Sequence, residues 1–562
     1  MAELFDSRRL TGPSALGDLP GAVIDVRLDA TEIAELVPRW QTEVRVLLDA
    51  VGWTDSTTSV REVVDGVSLA FNAPIDALYA ATELNELALE RATAETRDPE
   101  ADEAALARVR DAIANEARPA LLALARAAVE NNTPMLSDDD EVSLGLGERS
   151  QTWPVSELPD PATLEWSRFG RIPIGLVTGT NGKTTTVRLC ASIARAAGHC
   201  AGVSTTDGIW INAERLDAGD YSGPGGARSV LRDTRVTAAI LETARGGMQR
   251  RGLGVTRADA AVITNIAADH LGEFGVGNLE ELAGIKWIVT RALDADGTLI
   301  LNAEDPILRR LAQSYDQQPC WFGRDSADRF LREHLAGGGP GLTCEDAQIV
   351  RYDSGRKIPV IAINDVPLTL GGAAAHNVAN ALAAAALCHA LGIDDDAIAR
   401  GLRAMQPNDN RGRLNVFSLR GATVIVDFAH NPHGVAAIAD LAAALPAKRR
   451  LLVLGQAGDR SDVAMRDLAS AAWSLRPDRI LLKEMAEYAR GRAPGEVISI
   501  LRGALLDAGA DPAQIDVTAD EISAIEAALE WLQPDDLIIL LVHENAARAV
   551  ARVREACAEE NA

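Results

Sequence analysis

The segment Thr178-Gly-Thr-Asn-Gly-Lys-Thr-Thr185 constrains the fold of this 562-residue chain more than any other feature. It follows a short apolar run at residues 172–177 and precedes a helical stretch at 187–197. A strand, a glycine-rich turn and a helix in this order form a phosphate-binding loop, because glycines let the backbone approach a phosphate that the helix N-terminus then holds. We therefore predict a nucleotide site in a domain with alternating strands and helices.

Two side chains of this loop carry most of its predicted chemistry. Lys183 would neutralise the β- and γ-phosphates of a nucleotide, and Thr184 would offer its hydroxyl to Mg²⁺. The common P-loop pattern requires a glycine where Val177 stands, which disfavours a generic ATPase or NTPase switch. The predicted nucleotide-binding residues of the loop are Gly179, Thr180, Asn181, Gly182, Lys183, Thr184 and Thr185.

The hydrophobic pattern divides the chain into four regions. Residues 1–135 are predicted to form a mostly helical domain, and the proline-containing residues 136–170 a linker. Residues 171–409 are predicted to form a central α/β domain with a mainly parallel sheet, and residues 410–562 a compact doubly wound α/β domain. The expected strands are 172–177, 238–241, 260–263, 298–301, 423–426, 451–454, 480–482 and 537–542.

Carboxylate and imidazole groups follow two of the expected central strands. Glu242 ends one of them, and Asp269 and His270 lie just beyond another. The carboxyl ends of parallel strands meet at one edge of a sheet, beside the phosphate loop. Each residue alone has an ordinary structural interpretation, but together they indicate a metal site that bridges the nucleotide and a second substrate.

Charge and hydropathy exclude several other classes of protein. The formal net charge is −26, so we expect no nucleic-acid partner, because a duplex binder presents a basic face. The sequence contains no apolar stretch of about 20 residues, so we expect no membrane span. Its first residues lack the pattern of a signal peptide, and a cytoplasmic protein is the expectation.

The order of the motifs resembles that of the Mur ligases. The matching residues run from about 170 to 545, and the closest resemblance is to the Mur-like half of cyanophycin synthetases. Only about 35 residues stand where those enzymes carry an ATP-grasp domain, so the chain resembles one without that module. The matching motifs are Gly179-Thr-Asn-Gly-Lys-Thr184, Glu242-Thr-Ala-Arg-Gly-Gly247, Asn265 with Asp269-His270, His376-Asn377 with Asn380, Gly412-Arg413, Asp427 with His430-Asn431-Pro432, and Arg490-Gly-Arg492.

The resemblance implies an ATP- and Mg²⁺-dependent ligase that joins a carboxylate to an amine through an acyl phosphate. Lys183 and Arg413 would contact the phosphates, Asn380 would face the adenine, and Asp427 would reach the ribose. Two Mg²⁺ ions are implied, with Thr184, Glu242 and His270 as ligands. Lys286 is either a carbamylated lysine that holds the second ion or an ordinary lysine that binds a substrate carboxylate.

The expected substrates are an amino acid and a carboxylate of an aspartate-like or peptide molecule. Several polar residues are weaker candidates for binding them, with loop capping, chain turns or ion pairs as the alternatives left open. A catalytically inactive ATP-binding paralogue and homo-oligomerisation also remain open. The candidate substrate-binding residues are Arg245, His430, Asn431, Asp459, Arg490 and Arg492.

Overall fold

The computed structural model describes residues 3–272, 275–544 and 546–560. Within those residues the strands form four sheets. No helix of the described residues combines the length and apolar character needed to cross a bilayer.

The N-terminal region combines helices with a sheet that the sequence analysis did not predict. Its four helices meet the expectation of a helical region. They pack on a four-stranded antiparallel sheet of order β1-β2-β4-β3. Strands β1 and β3 are edge strands with polar, partly exposed residues, which hides their period-two pattern. The elements are β1 (Glu3–Leu10), β2 (Gly21–Arg27), α1 (Ala30–Ala50), β3 (Thr58–Val63), β4 (Gly66–Asn72), α2 (Leu78–Thr93), α3 (Pro99–Glu116) and α4 (Pro119–Glu130).

Residues 136–170, which we expected to form a linker, contain most of a small antiparallel sheet. Strands β5 (Met135–Ser137), β6 (Glu141–Leu144) and β7 (Gln151–Pro154) pair in that order. Phe169 contacts the rings of Trp153 and Trp166 edge-on, and this cluster packs with α4. The segment is therefore a packed connection, and it contains no ATP-grasp domain.

The central region is built on an eleven-stranded sheet of order β11-β10-β9-β12-β8-β13-β14-β15-β16-β17-β18. The seven strands from β9 to β16 in that order are parallel, and antiparallel strands complete both edges. The strands are β8 (Ile174–Thr178), β9 (Ala201–Thr205), β10 (Gly208–Ile211), β11 (Glu214–Asp217), β12 (Ala238–Glu242), β13 (Ala258–Ile263), β14 (Leu293–Asn302), β15 (Cys320–Gly323), β16 (Gly341–Glu345), β17 (Gln348–Asp353) and β18 (Arg356–Ala362).

Helices cover both faces of this sheet, which explains why its central strands are apolar throughout. One core contains α5, α11 and α12, and the other contains α6, α7, α8 and α10. The helices are α5 (Lys183–Ala196), α6 (Pro224–Arg232), α7 (Arg245–Arg251), α8 (Leu279–Trp287), α9 (Pro306–Leu311), α10 (Arg329–Ala336), α11 (Ala375–Ala390) and α12 (Asp395–Ala404).

The C-terminal region is a six-stranded sheet of order β19-β20-β24-β21-β22-β23, parallel except for the edge strand β19. Helices again cover both faces. Its elements are β19 (Asn415–Leu419), β20 (Ala422–Asp427), α13 (Pro432–Ala444), β21 (Arg450–Leu454), α14 (Asp462–Trp473), β22 (Arg479–Lys483), α15 (Glu496–Asp507), β23 (Ile515–Thr518), α16 (Glu521–Trp531), β24 (Leu537–Leu541) and α17 (Ala546–Glu560).

The expected α/β architecture is confirmed in both regions. Each of the eight strands expected from the sequence coincides with an observed strand, and the helix expected after the phosphate loop is α5. The carboxyl ends of β8, β12 and β13 are neighbours, which brings the loop, Glu242 and the Asp269-His270 segment to one edge of the sheet.

Candidate active site

The loop between β8 and α5 has a backbone that requires glycine at two positions. Gly179 has φ +143°, and a Cβ there would lie 1.9 Å from Oγ1 of Thr264. Gly182 has φ +86°, and a Cβ there would lie 2.3 Å from Oδ1 of Asn380. The loop therefore presents bare backbone at the start of α5, as a phosphate site requires.

The residues that follow β13 hold this loop in place. The Thr180 N–H donates to the Asn265 carbonyl at 2.9 Å, and the Asn181 N–H donates to Oδ1 of Asn265 at 3.0 Å. The Asn181 carbonyl accepts from Oγ1 of Thr264 at 2.6 Å and from Nδ2 of Asn265 at 3.0 Å. The loop conformation is thus set in advance by its neighbour strand.

Thr184 and Glu242 form a buried pair at the start of α5. Oγ1 of Thr184 donates to Oε2 of Glu242 at 2.9 Å, while Oε1 of Glu242 has no hydrogen-bond partner among the described residues. Burial raises the pKa of Glu242, although the charge of Lys183 and the Thr184 hydrogen bond lower it. A buried carboxylate oxygen without a partner fits a divalent cation, which would satisfy it together with the hydroxyl.

A second group of metal-ligating side chains lies across the two α/β regions. One ligand atom each from Asp269, His270 and His430 lies within 4.8 Å of the other two. Burial opposes ionisation of Asp269, but the hydrogen bond and charge of His430, with His270 and Arg460 nearby, hold its pKa below the ordinary value. His430 Nε2 lies 3.3 Å from Oδ2 of Asp269. Carboxylate and imidazole groups of this kind are ligands for a divalent cation. Nη2 of Arg460 lies 2.9 Å from Nε2 of His270.

Lys286 extends from α8 toward the phosphate loop. Its side chain is buried, and Nζ donates to the Gly179 carbonyl at 2.8 Å. Burial lowers the pKa of Lys286 well below its ordinary value, and the charge of Lys183 acts in the same direction. A neutral amine at this position is a nucleophile, as carbamylation requires.

The three remaining predicted nucleotide contacts come from both α/β regions. Arg413 stacks on Phe428, with its guanidinium carbon 4.2 Å from the ring centroid, and its charge acts on Glu242. The carboxylate of Asp427 accepts two backbone N–H groups, from Leu414 and Ala429, both at 2.7 Å. Asn380 lies against Gly182 and donates to Asn377 at 3.0 Å.

The weaker substrate candidates are partly engaged with protein groups. Arg245 is buried and donates to the His270 carbonyl at 3.0 Å, so it lies in the site. Arg492 contacts Asp462 and Glu496, both at 2.8 Å, and also bonds backbone carbonyls. Arg490 forms an ion pair with Asp459. These contacts are of the kind given above as the alternative to substrate binding.

Several contacting residues were not among the predicted site residues. His433 and Arg460 reach the central region from the C-terminal region. Oγ1 of Thr206 lies 3.2 Å from Oγ1 of Thr184, and Arg188 forms an ion pair with Asp207 at 2.6 Å. Thr206 directly follows the parallel strand β9, and Arg460 lies in the loop after β21. A position beyond the carboxyl end of a parallel strand is a signal that could have found them.

Known proteins match the sequence of both α/β regions. The profile of the Mur ligase middle domain matches residues 177–388, and that of the Mur ligase glutamate ligase domain matches residues 412–541. Cyanophycin synthetases of Crocosphaera subtropica and of a Synechocystis species are each 34% identical to the chain, over 385 and 386 residues. In both cases the match covers 68% of this chain and 44% of the relative, so the chain matches less than half the length of these curated relatives.

Solved structures are also similar to part of the chain. E. coli FolC in complex with DHPP and ADP has a TM-score of 0.49 and 20% sequence identity. That match covers 69% of this chain and 89% of the FolC chain.

Proposed function

This chain belongs to the Mur ligase family, and from that premise we propose that it is an ATP-dependent ligase that forms an amide bond through an acyl phosphate. The observation that carries the proposal is the Thr184–Glu242 pair at the start of α5, with one buried carboxylate oxygen left for a cation. A family member that had lost nucleotide binding as well as catalysis would gain nothing from this destabilising arrangement.

Each side chain of the site has a role in this reaction. Lys183 neutralises the β- and γ-phosphates, and Thr184 and Glu242 would hold one Mg²⁺. His270, with Asp269 and His430 beside it, would hold a second. The bound ions supply charge neutralisation at the transferring phosphoryl group. Arg413 approaches from the C-terminal region, so that both regions contribute to the phosphate site.

The reaction requires a carboxylate and an amine as separate substrates. An oxygen of the carboxylate attacks the γ-phosphorus of ATP and ADP leaves. The amine nitrogen then attacks the acyl carbon, and inorganic phosphate leaves with the former carboxylate oxygen. Arg245 is suited to binding the carboxylate because guanidinium groups bind carboxylates in a bidentate manner. By similarity to cyanophycin synthetases, we propose an aspartate-like or peptide acid and an amino acid as the substrates.

Phosphate release with matched substrate sets tests this function. The purified protein is incubated with ATP and Mg²⁺, with aspartate, β-aspartyl dipeptides or short aspartate peptides, and with arginine, lysine or ornithine. Phosphate release that requires both an acid and an amine, with a product lighter than the two reactants by one water, supports the ligase. ATP bound without turnover across the whole set would indicate a binding-only paralogue instead, and turnover with ATP alone would indicate an ATPase.

A further inference from the structure

The Asn181 side chain points away from the phosphate loop and toward the C-terminal region. Nδ2 of Asn181 donates to Oδ1 of Asn431 at 3.1 Å, and Nδ2 of Asn431 donates back to Oδ1 of Asn181 at 3.0 Å. The Asn181 amide also lies 3.0 Å from Nδ1 of His433, which accepts its second hydrogen. All the donors of this amide are thereby used by another domain.

The orientation of Asn431 is fixed by its own helix. Asn431 is the N-cap of α13, where its Oδ1 accepts the N–H of Gly434 at 2.8 Å. With the oxygen held in that direction, the amide nitrogen faces Asn181 and Oδ2 of Asp269, the latter at 3.3 Å. The side chain therefore has a capping function toward its own domain and a donor function toward the central domain.

The backbone of Asn181 is fixed from the other side. Its N–H and carbonyl are bonded by Thr264 and Asn265 after β13, and it lies between Thr180 and Gly182 in the loop. A change in the loop backbone would therefore move the Asn181 amide, because the side chain has few torsions with which to compensate.

We propose that Asn181 and Asn431 form a latch through which the phosphate loop and the C-terminal domain control each other. A nucleotide that orders the loop would favour docking of the C-terminal domain, and docking would favour the loop conformation that binds the nucleotide. Reciprocity of this kind is required of any two coupled binding equilibria. Both residues act as positioning residues in the proposed ligase reaction, and the inference rests on that function only for the identity of the nucleotide.

Replacing Asn431 by serine separates its two functions. Serine is a good N-cap, so α13 keeps its capped first turn, but Asn431→Ser removes both amide donors. Asn181→Ala removes the partner while it leaves the loop N–H groups in place. Asp520→Ser is the matched control, because Asp520 caps α16 in the same domain and lies outside the site.

The measurements are small-angle X-ray scattering with and without MgADP, and steady-state phosphate release. We expect each latch variant to have a larger radius of gyration than the wild type in MgADP.

We also expect kcat to fall by about tenfold or more, the effect of losing one or two hydrogen bonds. The double variant should fall by less than the product of the two single effects, because both changes break the shared Asn181–Asn431 contact. Asp520→Ser should match the wild type in both measurements.

Two results would overturn the latch. One is a double variant in which the two effects multiply, and the other is wild-type compaction in both single variants. If the wild type itself releases no phosphate, the proposed ligase reaction is at fault. The scattering comparison then decides on the latch by itself.

Discussion

Thr184 donates its hydroxyl hydrogen to Oε2 of Glu242 at 2.9 Å, and this contact leaves the other carboxylate oxygen buried without a partner among the described residues. Glu242 is the last residue of β12, and Thr184 lies 58 positions earlier, in the first turn of α5. A buried carboxylate oxygen that lacks a partner destabilises the fold, and this one lies where a nucleotide-bound cation would lie.

Replacing Glu242 by glutamine should stabilise the metal-free protein. Burial raises the pKa of Glu242, so the folded protein holds that proton more tightly than the unfolded chain does. The tightly held proton therefore adds to the free energy of unfolding at low pH. This contribution is lost as pH rises from about 4.3, the pKa of an unperturbed glutamate, toward the raised pKa of Glu242. At pH 7.5 in EDTA, Glu242→Gln should have the higher Tm, by about 2–4 °C per kcal/mol gained.

Mg²⁺ provides the second half of that test. Added Mg²⁺ with ADP should raise the Tm of the wild type and leave that of Glu242→Gln almost unchanged, and turnover should be lost in the variant. Glu530→Gln, an exposed change in the C-terminal domain, is the control. Equal Mg²⁺-dependent shifts in the wild type and Glu242→Gln would rule out Glu242 as a metal ligand.

Bicarbonate should decide between the two interpretations of Lys286. The lowered pKa of Lys286 favours its neutral amine, which can attack CO₂ to form a carbamate and release a proton. If that occurs, enzyme stripped of CO₂ should lose activity and regain it with bicarbonate. Lys286→Arg should be inactive in both conditions. Activity of the wild type that is indifferent to bicarbonate would favour an ordinary lysine that binds a substrate carboxylate.

Arg413→Ala should reduce kcat sharply while the fold stays intact. The guanidinium stacks on Phe428 and acts on Glu242 from the other domain, so its loss removes a cation from the phosphate site. Removal of one such electrostatic contact typically costs about 10²–10³ in kcat. Arg466→Ala, on the exposed side of α14, controls for loss of surface charge. Wild-type turnover in Arg413→Ala would contradict this role.

The C-terminal domain should depend on a buried ion pair between Lys483 and Glu521. The two side chains are 0% and 2% exposed, and Glu521 also accepts the His543 N–H at 2.7 Å. Lys483→Met removes the cation beside this buried carboxylate and should cost about 3–5 kcal/mol of stability. Lys448→Met breaks an exposed pair with Asp535 and should cost less than about 1 kcal/mol. Similar urea midpoints for the two variants would contradict this difference.

The local chemistry of the site could be predicted from the sequence, because it depends on short segments. The phosphate loop and Glu242 each follow a strand whose apolar run is continuous, and parallel strand ends must meet. The Asn181–Asn431 contact could not be predicted, since it joins residues 250 positions apart and depends on how two domains dock. The N-terminal sheet was missed for a different reason, namely that the polar residues of β1 and β3 hide their alternation.

Transfer of an oxygen atom tests the acyl-phosphate mechanism most directly. The acid substrate is labelled with ¹⁸O in the carboxylate that reacts, and the phosphate released from ATP is analysed by mass spectrometry. An acyl phosphate transfers one carboxylate oxygen to phosphate. We therefore expect one ¹⁸O in each released phosphate and the other ¹⁸O in the amide. Unlabelled phosphate, formed together with product, would contradict the acyl-phosphate mechanism.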